Sequence, residues 1–361
     1  MTHLAVVGNP ANRRVTLFQA AAARAGRPAV PVYPWRDVLT SGRVPGPGTV
    51  VRIDSPGEDA DVDQLLRVLG GGDPAVRAEH GEILGTAAAH AGLGRALDRV
   101  AAGGGELLNQ IADILTMSDK PRCHAVLAAA GVPVPAALAP VNSYEALRAA
   151  MSAAGWGRAF VKPAHGSSAS GVLALAVSGR QVRATTSTEL AADGRLFNNR
   201  RVRCYDDPER VAAIVDRLAP DGLHVERWYP KAGFDNRVLD LRVVVTAGDP
   251  GHVVVRTSRS PMTNLHLGNA RGDLARVRAA AGERAWAAAM RTCVRVARCF
   301  PRTLHVAVDL MFRADWNDHA VAEVNAFGDL LPGLLAGGRD TYDAQLAALT
   351  DGRFRHWTDA P

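Results

Sequence analysis

Asp309, Glu323 and Asn325 carry the most specific chemical signal in the chain. Glu323 and Asn325 stand two apart in Val321-Ala-Glu-Val-Asn325, so on a strand they share one face. Folding residues 305–325 into a hairpin about Trp316 brings Asp309 opposite Glu323. Carboxylates facing each other at about 5 Å repel. A divalent cation turns that cost into a gain. An all-oxygen set of Asp, Glu and Asn suits Mg²⁺, which takes its remaining ligands from water and phosphates. The apolar runs Val306-Ala-Val308 and Val321-Ala322 indicate a buried hairpin rather than a solvated charged edge. The spacing therefore predicts a metal site.

Four further segments could serve such a site. Phe160-Val-Lys-Pro-Ala-His-Gly-Ser-Ser-Ala-Ser-Gly-Val172 delivers Lys162 at a strand end, then small residues between Gly166 and Gly171. A loop of this kind can offer successive backbone N–H groups to a phosphate, or can be a plain hairpin turn. It is neither a Walker A loop nor a dinucleotide fingerprint, because no Gly-Lys-Ser/Thr follows the glycines. His224-Val-Glu-Arg-Trp-Tyr-Pro230 could present the backbone of Glu226, Arg227, Trp228 and Tyr229 to an adenine edge, or could be core. Asp240 and Arg242 share a strand face, as a structural ion pair or as a ribose-binding carboxylate beside a phosphate-binding guanidinium. The polar stretch from Thr257 to Asn269, flanked by Arg256, is a surface loop or a binding loop for an anionic substrate through Arg256, Arg259, Asn264 and His266.

The elements that must hold these residues follow from patterning. Leu4–Gly8, Ala29–Tyr33 and Thr49–Ile53 read as strands around a helix over 12–25, a β-α-β opening with a parallel sheet. Helices are expected over 61–69, 82–100, 143–154, 207–218 and 274–299, and one from Asp119 or Ser118 to Ala130 with Pro121 in its first turn. Strands are expected at Ala159–Lys162, Val172–Val177 and His224–Trp228. Leu239–Thr246 with His252–Thr257 should form a hairpin, like His305–Arg313 with Ala320–Asn325. The 361 residues suit two or three structural units.

Composition narrows the classes. No apolar run approaches the roughly 18 residues of a membrane span, and Met1–Gly8 reads as a buried strand rather than a signal peptide. The four cysteines form no Cys-x-x-Cys pair, so reduced thiols in a cytoplasmic protein are expected. The net charge of +6 fits a nucleic acid or a small anion, but 5% aromatics without aromatic–basic interleaving argue against a base-stacking surface. Only three of the 42 basic residues are lysine: Lys120, Lys162 and Lys231. In so arginine-rich a chain each lysine marks a place where a compact ammonium fits and a broad guanidinium does not. The segment 195–203 adds further arginines, as a solvated hairpin or as a contact for an anionic partner.

The order of these pieces resembles the ATP-grasp superfamily over about residues 105–335. Asp-Lys-Pro precedes Gly-Val-Pro-x-Pro; Val-Lys-Pro-x-x-Gly-Ser, Val-Glu-x-Trp and Asp-x-Arg-Val follow; Asn-Leu-His-x-Gly, Val-Asp and Glu-Val-Asn complete it. The resemblance leans to the ligases that add glutamate to a ribosomal protein and to glutathione synthetase. It implies an α/β (α+β) ATP-grasp fold with an N-terminal Rossmann-like pre-ATP-grasp domain at 1–115. An ATP-grasp subdomain with the glycine-rich lid would span 116–222, and a second with the Mg site 223–361. It implies phosphate contacts from Lys120 and Lys162, and a lid at His165, Gly166, Ser167, Ser168 and Gly171. An adenine hinge would run from Glu226 through Arg227 and Trp228 to Tyr229, with Asp240 on the ribose. Arg242 and Asn264 would lie near the phosphates or the acyl intermediate. Arg256, Arg259, His266 and Asn269 remain for the substrate, and Asp309, Glu323 and Asn325 for Mg²⁺. The implied reaction joins a small-molecule or peptide carboxylate to an amine, consuming ATP through an acyl phosphate, with Arg242 and Lys162 catalytic. A non-catalytic ATP-binding module and a peptide-tailoring enzyme are the alternatives. A homodimer is compatible with the resemblance. Ala326-Phe-Gly-Asp-Leu-Leu-Pro332 departs from the Ser-Pro-Gly of many relatives, in the region of the acceptor pocket.

Overall fold

A computed structural model describes residues 3–166, 169–327 and 331–359. The chain opens with β1 (His3–Val7), α1 (Arg13–Arg24), β2 (Val32–Tyr33), α2 (Trp35–Thr40), β3 (Thr49–Ile53), α3 (Ala60–Leu69), α4 (Thr86–Ala102) and β4 (Glu106–Leu107). The four strands form one parallel sheet in the order β2-β1-β3-β4. β1 and β3 are buried along almost their whole length, as in a parallel sheet covered on both faces. Asn12 and Asp59 cap α1 and α3 with their side chains. The expected strand at Ala29–Tyr33 shrinks to Val32–Tyr33, because Pro28 and Pro31 carry no N–H for a ladder.

α5 (Ile111–Met117) and α6 (Lys120–Ala129) lead on, the latter capped by Asp119 with Pro121 in its first turn. After α7 (Tyr144–Ala153) comes an antiparallel sheet of β5 (Arg158–Pro163), β6 (Leu173–Ser178), β7 (Gln181–Leu190), β8 (Leu196–Tyr205) and β9 (Leu223–Arg227), ordered β8-β7-β6-β5-β9. α8 (Pro208–Leu218) and α7 cover its one face, burying Leu147, Val161, Leu173, Val211 and Ile214 together. The other face points to the third sheet. The segment expected to start a helix at 82 instead borders β8, with Ile83 N–H donating to Leu196 O at 2.8 Å.

That third sheet holds β10 (Gly233–Phe234), β11 (Arg237–Thr246), β12 (Asp249–Ser258), β13 (Ala270–Arg271), β14 (His305–Phe312) and β15 (His319–Asn325). Its main order is β13-β12-β11-β14-β15. α9 (Leu274–Arg298) packs on it and is broken at Gly282, whose φ of 71° leaves the helical region. Val243, Val245, Val306 and Val308 share one core with Val7, Trp35 and Ile53 of the N-terminal unit. α10 (Thr341–Thr350) and α11 (Arg353–Asp359) end the chain. α10 returns to the first sheet, where Tyr342 and Leu346 pack with Phe18 and Val15. Buried Arg52 seals that contact: it donates to Asp54 and Gln345 and lies over the rings of Phe18 and Tyr342. Among the described residues no helix is long and apolar enough to cross a membrane. The four cysteines are free.

Two glycines set how closely α3 and α4 approach. A Cβ on Gly70 would sit 1.8 Å from Ala88 O, and one on Gly92 would sit 1.9 Å from Leu66 O. Gly92→Ala must therefore part the helices. We expect it to lower stability by about 1–3 kcal/mol, the usual cost of overpacking. Thermal melting checks this, and an unchanged midpoint would show that the crossing yields freely.

Candidate active site

The inner faces of the second and third sheets enclose a cleft lined by Lys120, Lys162, Lys231, Glu226, Asp240, Asp309 and Glu323. All three lysines of the chain lie there.

Lys162 comes from β5 and is buried by its pairing with β9. Its Nζ donates to Glu226 Oε2 at 2.6 Å and to Ala322 O at 3.2 Å. Glu226 Oε1 accepts from His224 Nε2 at 2.9 Å. Burial works to raise the Glu226 carboxyl, but Lys162 and His224 outweigh it and hold it at about 2. Lys120, at the start of α6, bridges the lobes: Nζ donates to Gly166 O at 2.8 Å and lies 3.7 Å from Glu323 Oε1.

Asp309 and Glu323 face each other across β14 and β15. The Asp309 side chain is buried, whereas that of Glu323 is 28% exposed. Arg242 Nη2 donates to Asp309 Oδ2 at 3.3 Å, and its Nε lies 2.6 Å from Asp309 Oδ1. Arg256 Nη2 lies 3.1 Å from Asp309 Oδ2. Burial lifts the Asp309 carboxyl above its usual range despite both arginines. The chain of charges continues through Asp240, which accepts from Arg256 at 2.7 and 2.9 Å and from Thr263 Oγ1. Arg256 and Lys231 hold Asp240 at about 2 against the effect of burial.

The donor set fits Mg²⁺. Two carboxylates stand in register, and the Asn325 amide follows two residues on. Among the described residues no group of three His, Cys, Asp or Glu side chains converges as a metal-holding cluster.

Not every residue singled out in the sequence lies in this cleft. Gly166, Arg227, Tyr229 and Asn264 line it. Trp228 turns to a wider groove beyond the hinge, tilted against Phe160 at 5.0 Å. That groove lacks the Asp309–Glu323 pair, which lines the smaller cleft. His165 stacks on His90 of α4 with ring centroids 4.0 Å apart, fastening the loop to the N-terminal unit. Gly171 is packed against Pro163 and Leu218. Ser167 and Ser168 lie outside the described residues. Arg256 is committed to Asp240 and Asp309, Arg259 and His266 are exposed, and Asn269 shapes its own loop by donating to Met262 O and Asn264 O. Sequence reasoning gave no role to His224, Thr263 or Lys231. Only the rarity of lysine pointed to the last.

The Glu226–Lys162 pair gives a pH test. The depressed carboxyl stabilises the fold fully above about pH 4.5, and this is lost as pH falls through about 2. Glu226→Gln should therefore be less stable at pH 7 by about 3 kcal/mol. The gap to the wild type should close between pH 4.5 and 2. Urea denaturation across that range checks it; a gap independent of pH would contradict the pairing.

No protein-family model and no curated protein matches the sequence. Solved structures do. D-cycloserine synthetase DcsG matches over 97% of this chain and 99% of that one, at 16% identity and a TM-score of 0.58. The ATP-grasp ligase PsnB, complexed with a minimal precursor, Mg and ADP, matches over 98% and 99%, at 17% identity and 0.52. D-alanine–D-alanine ligase from Bacillus anthracis, complexed with ATP, matches over the full length of both chains, at 11% identity and 0.54. At such identities the likeness is one of fold, and it spans the whole chain: this protein has the fold of the ATP-grasp ligases.

Proposed function

We propose that the protein is an ATP-dependent ligase that phosphorylates a carboxylate and joins it to an amine, releasing ADP and phosphate. One observation carries this reading. Lys120, Lys162 and the Asp309/Glu323 pair, far apart in sequence, meet in one cleft between two sheets. The fold supports it, as do the ATP, ADP and Mg bound in the neighbours.

Positioning and charge neutralisation are the chain's own contribution. Two protons of Lys162 are committed to Glu226 and Ala322 O, leaving the third to meet a phosphate oxygen. Lys120, held by Gly166 O, brings a second ammonium to the same charge. In this reading the backbone from Arg227 to Tyr229 takes the base, whereas Asp240, assigned to the ribose by the resemblance, already accepts from Arg256 and Thr263 on its two oxygens. Arg242 offsets charge on the transferring group and its acyl-phosphate product. Asp309, Glu323 and Asn325 would hold Mg²⁺, which when bound neutralises phosphate charge. No side-chain nucleophile is required. The carboxylate partner is a small molecule or a peptide, because the neighbours include both a D-cycloserine synthetase and a ligase complexed with a precursor.

Asp309→Asn and Glu323→Gln each remove a charge while nearly keeping shape. Turnover should fall by about 100-fold or more. An ADP-release screen against amino acids, polyamines and peptides supplies the assay, and near-wild-type rates at ordinary magnesium would refute the metal assignment. The same screen opens a test of the route. A substrate labelled with heavy oxygen in its carboxyl group should yield phosphate carrying one labelled atom, with ADP. Label in AMP would show adenylation, and unlabelled phosphate would overturn the acyl phosphate.

A further inference from the structure

Lys231 is the lysine that the proposed chemistry does not use. It leaves the hinge on a firm anchor: Ala232 N–H donates to Phe312 O and Ala314 N–H to Pro230 O, both at 2.8 Å. Its side chain is only 10% exposed. Nζ donates to Pro261 O at 3.1 Å and to Thr263 Oγ1 at 3.2 Å, and lies 3.6 Å from Asp240 Oδ2. Thr263 in turn donates to Asp240.

The segment so held is the loop between β12 and β13. Among the described residues the loop is also bonded within itself, Ser260 with Ser258 and Met262, and Asn269 with Met262 and Asn264. The Lys231–Asp240 pair thus supplies the side-chain ties from the hinge and β11 to this loop. The loop forms part of the cleft wall through Pro261, Met262, Thr263 and Asn264. An ammonium suits this position, because its protons fan toward two acceptors two residues apart, where the planar fork of arginine would not fit. Desolvation lowers the pKa of Lys231, with Asp240 opposing it, which agrees with a side chain turned inward.

We propose that Lys231 is a positioning residue that couples the nucleotide hinge to the 258–269 loop, so that Asn264 is set in the cleft wall when nucleotide binds. This rests on the ATP reading above. It assigns Lys231 to the loop and not to the nucleotide.

The test uses the ATP analogue AMPPNP with Mg²⁺ and hydrogen exchange read by mass spectrometry, on the full chain. In the wild type AMPPNP should slow exchange in both 163–172 and 258–269. Lys231→Met should bind AMPPNP within about threefold of wild type and keep protection at 163–172. Its free 258–269 segment should exchange about tenfold faster, and AMPPNP should no longer slow it. Thr263→Val, which keeps every charge, should shift the same way, and the double variant should add nothing to Lys231→Met. A structural role alone would speed exchange equally with and without AMPPNP, and that result overturns the proposal. So does an AMPPNP affinity more than about tenfold weaker, which would make Lys231 a nucleotide ligand. If the wild type fails to bind AMPPNP, the ATP reading falls by itself and the coupling with it, whereas normal binding with unchanged exchange in Lys231→Met refutes the coupling alone.

Discussion

Asp309 and Glu323 are pressed side by side at the centre of a buried hairpin, and the surrounding structure answers that repulsion. Three cations converge on the pair, and two of them also hold something else. Arg256 grips Asp240, which fixes Thr263. Lys120 reaches Glu323 while holding the carbonyl of Gly166, so the glycine-rich loop is referred to the same point. Arg242 closes the row beside Asp309. Asp309 is the buried carboxylate that Arg242 and Arg256 share, and Glu323 is the more exposed one that Lys120 meets. The pair is thus a structural constraint before any ligand arrives, and the same negative charge is what a hard cation requires.

The scaffold keeps that constraint in place from behind. β14 is buried along its whole length, and its valines share a core with the N-terminal sheet. Asn109 ties the units further, donating to His305 O and Ala326 O on either side of the hairpin. The second sheet has its own core, distinct from that one. Polar bonds cross the cleft, from Lys120 Nζ to Gly166 O, from Lys120 N–H to Ala164 O and from Lys162 to Ala322 O. A phosphate can replace such contacts more readily than it could part a hydrophobic seam.

Much of this was legible in the residues. The opposition of Asp309 and Glu323 follows from the length of the hairpin and two-residue periodicity, and the register has that pairing. Of the two caps expected for α6, Ser118 and Asp119, it is Asp119 that caps the helix. β7 and β8 were harder: Thr185, Thr186, Ser187 and Thr188 give no clean alternation, because Thr186, Ser187 and Thr188 are all fully buried and bonded locally. α10 escaped because its partner, the Phe18 face of α1, lies more than three hundred residues away. Arg256 illustrates a different limit. Its position beside a polar loop suggested a substrate contact, but strand pairing sets it directly opposite Asp240, and a bidentate ion pair takes up the guanidinium.

The scarcity of lysine ties composition to mechanism. Elsewhere the chain uses arginine for positive charge, including the buried roles at Arg52, Arg242 and Arg256, where a planar fork meets a carboxylate. The cleft asks for something else. Lys162 must satisfy Glu226 and a carbonyl from one atom and still face outward; Lys120 must reach a loop carbonyl and a carboxylate on opposite lobes; Lys231 must meet two acceptors two residues apart. Each needs donors that diverge from a point rather than lie in a plane. The division of labour follows: arginine organises the carboxylates, and lysine ties the segments that line the cleft.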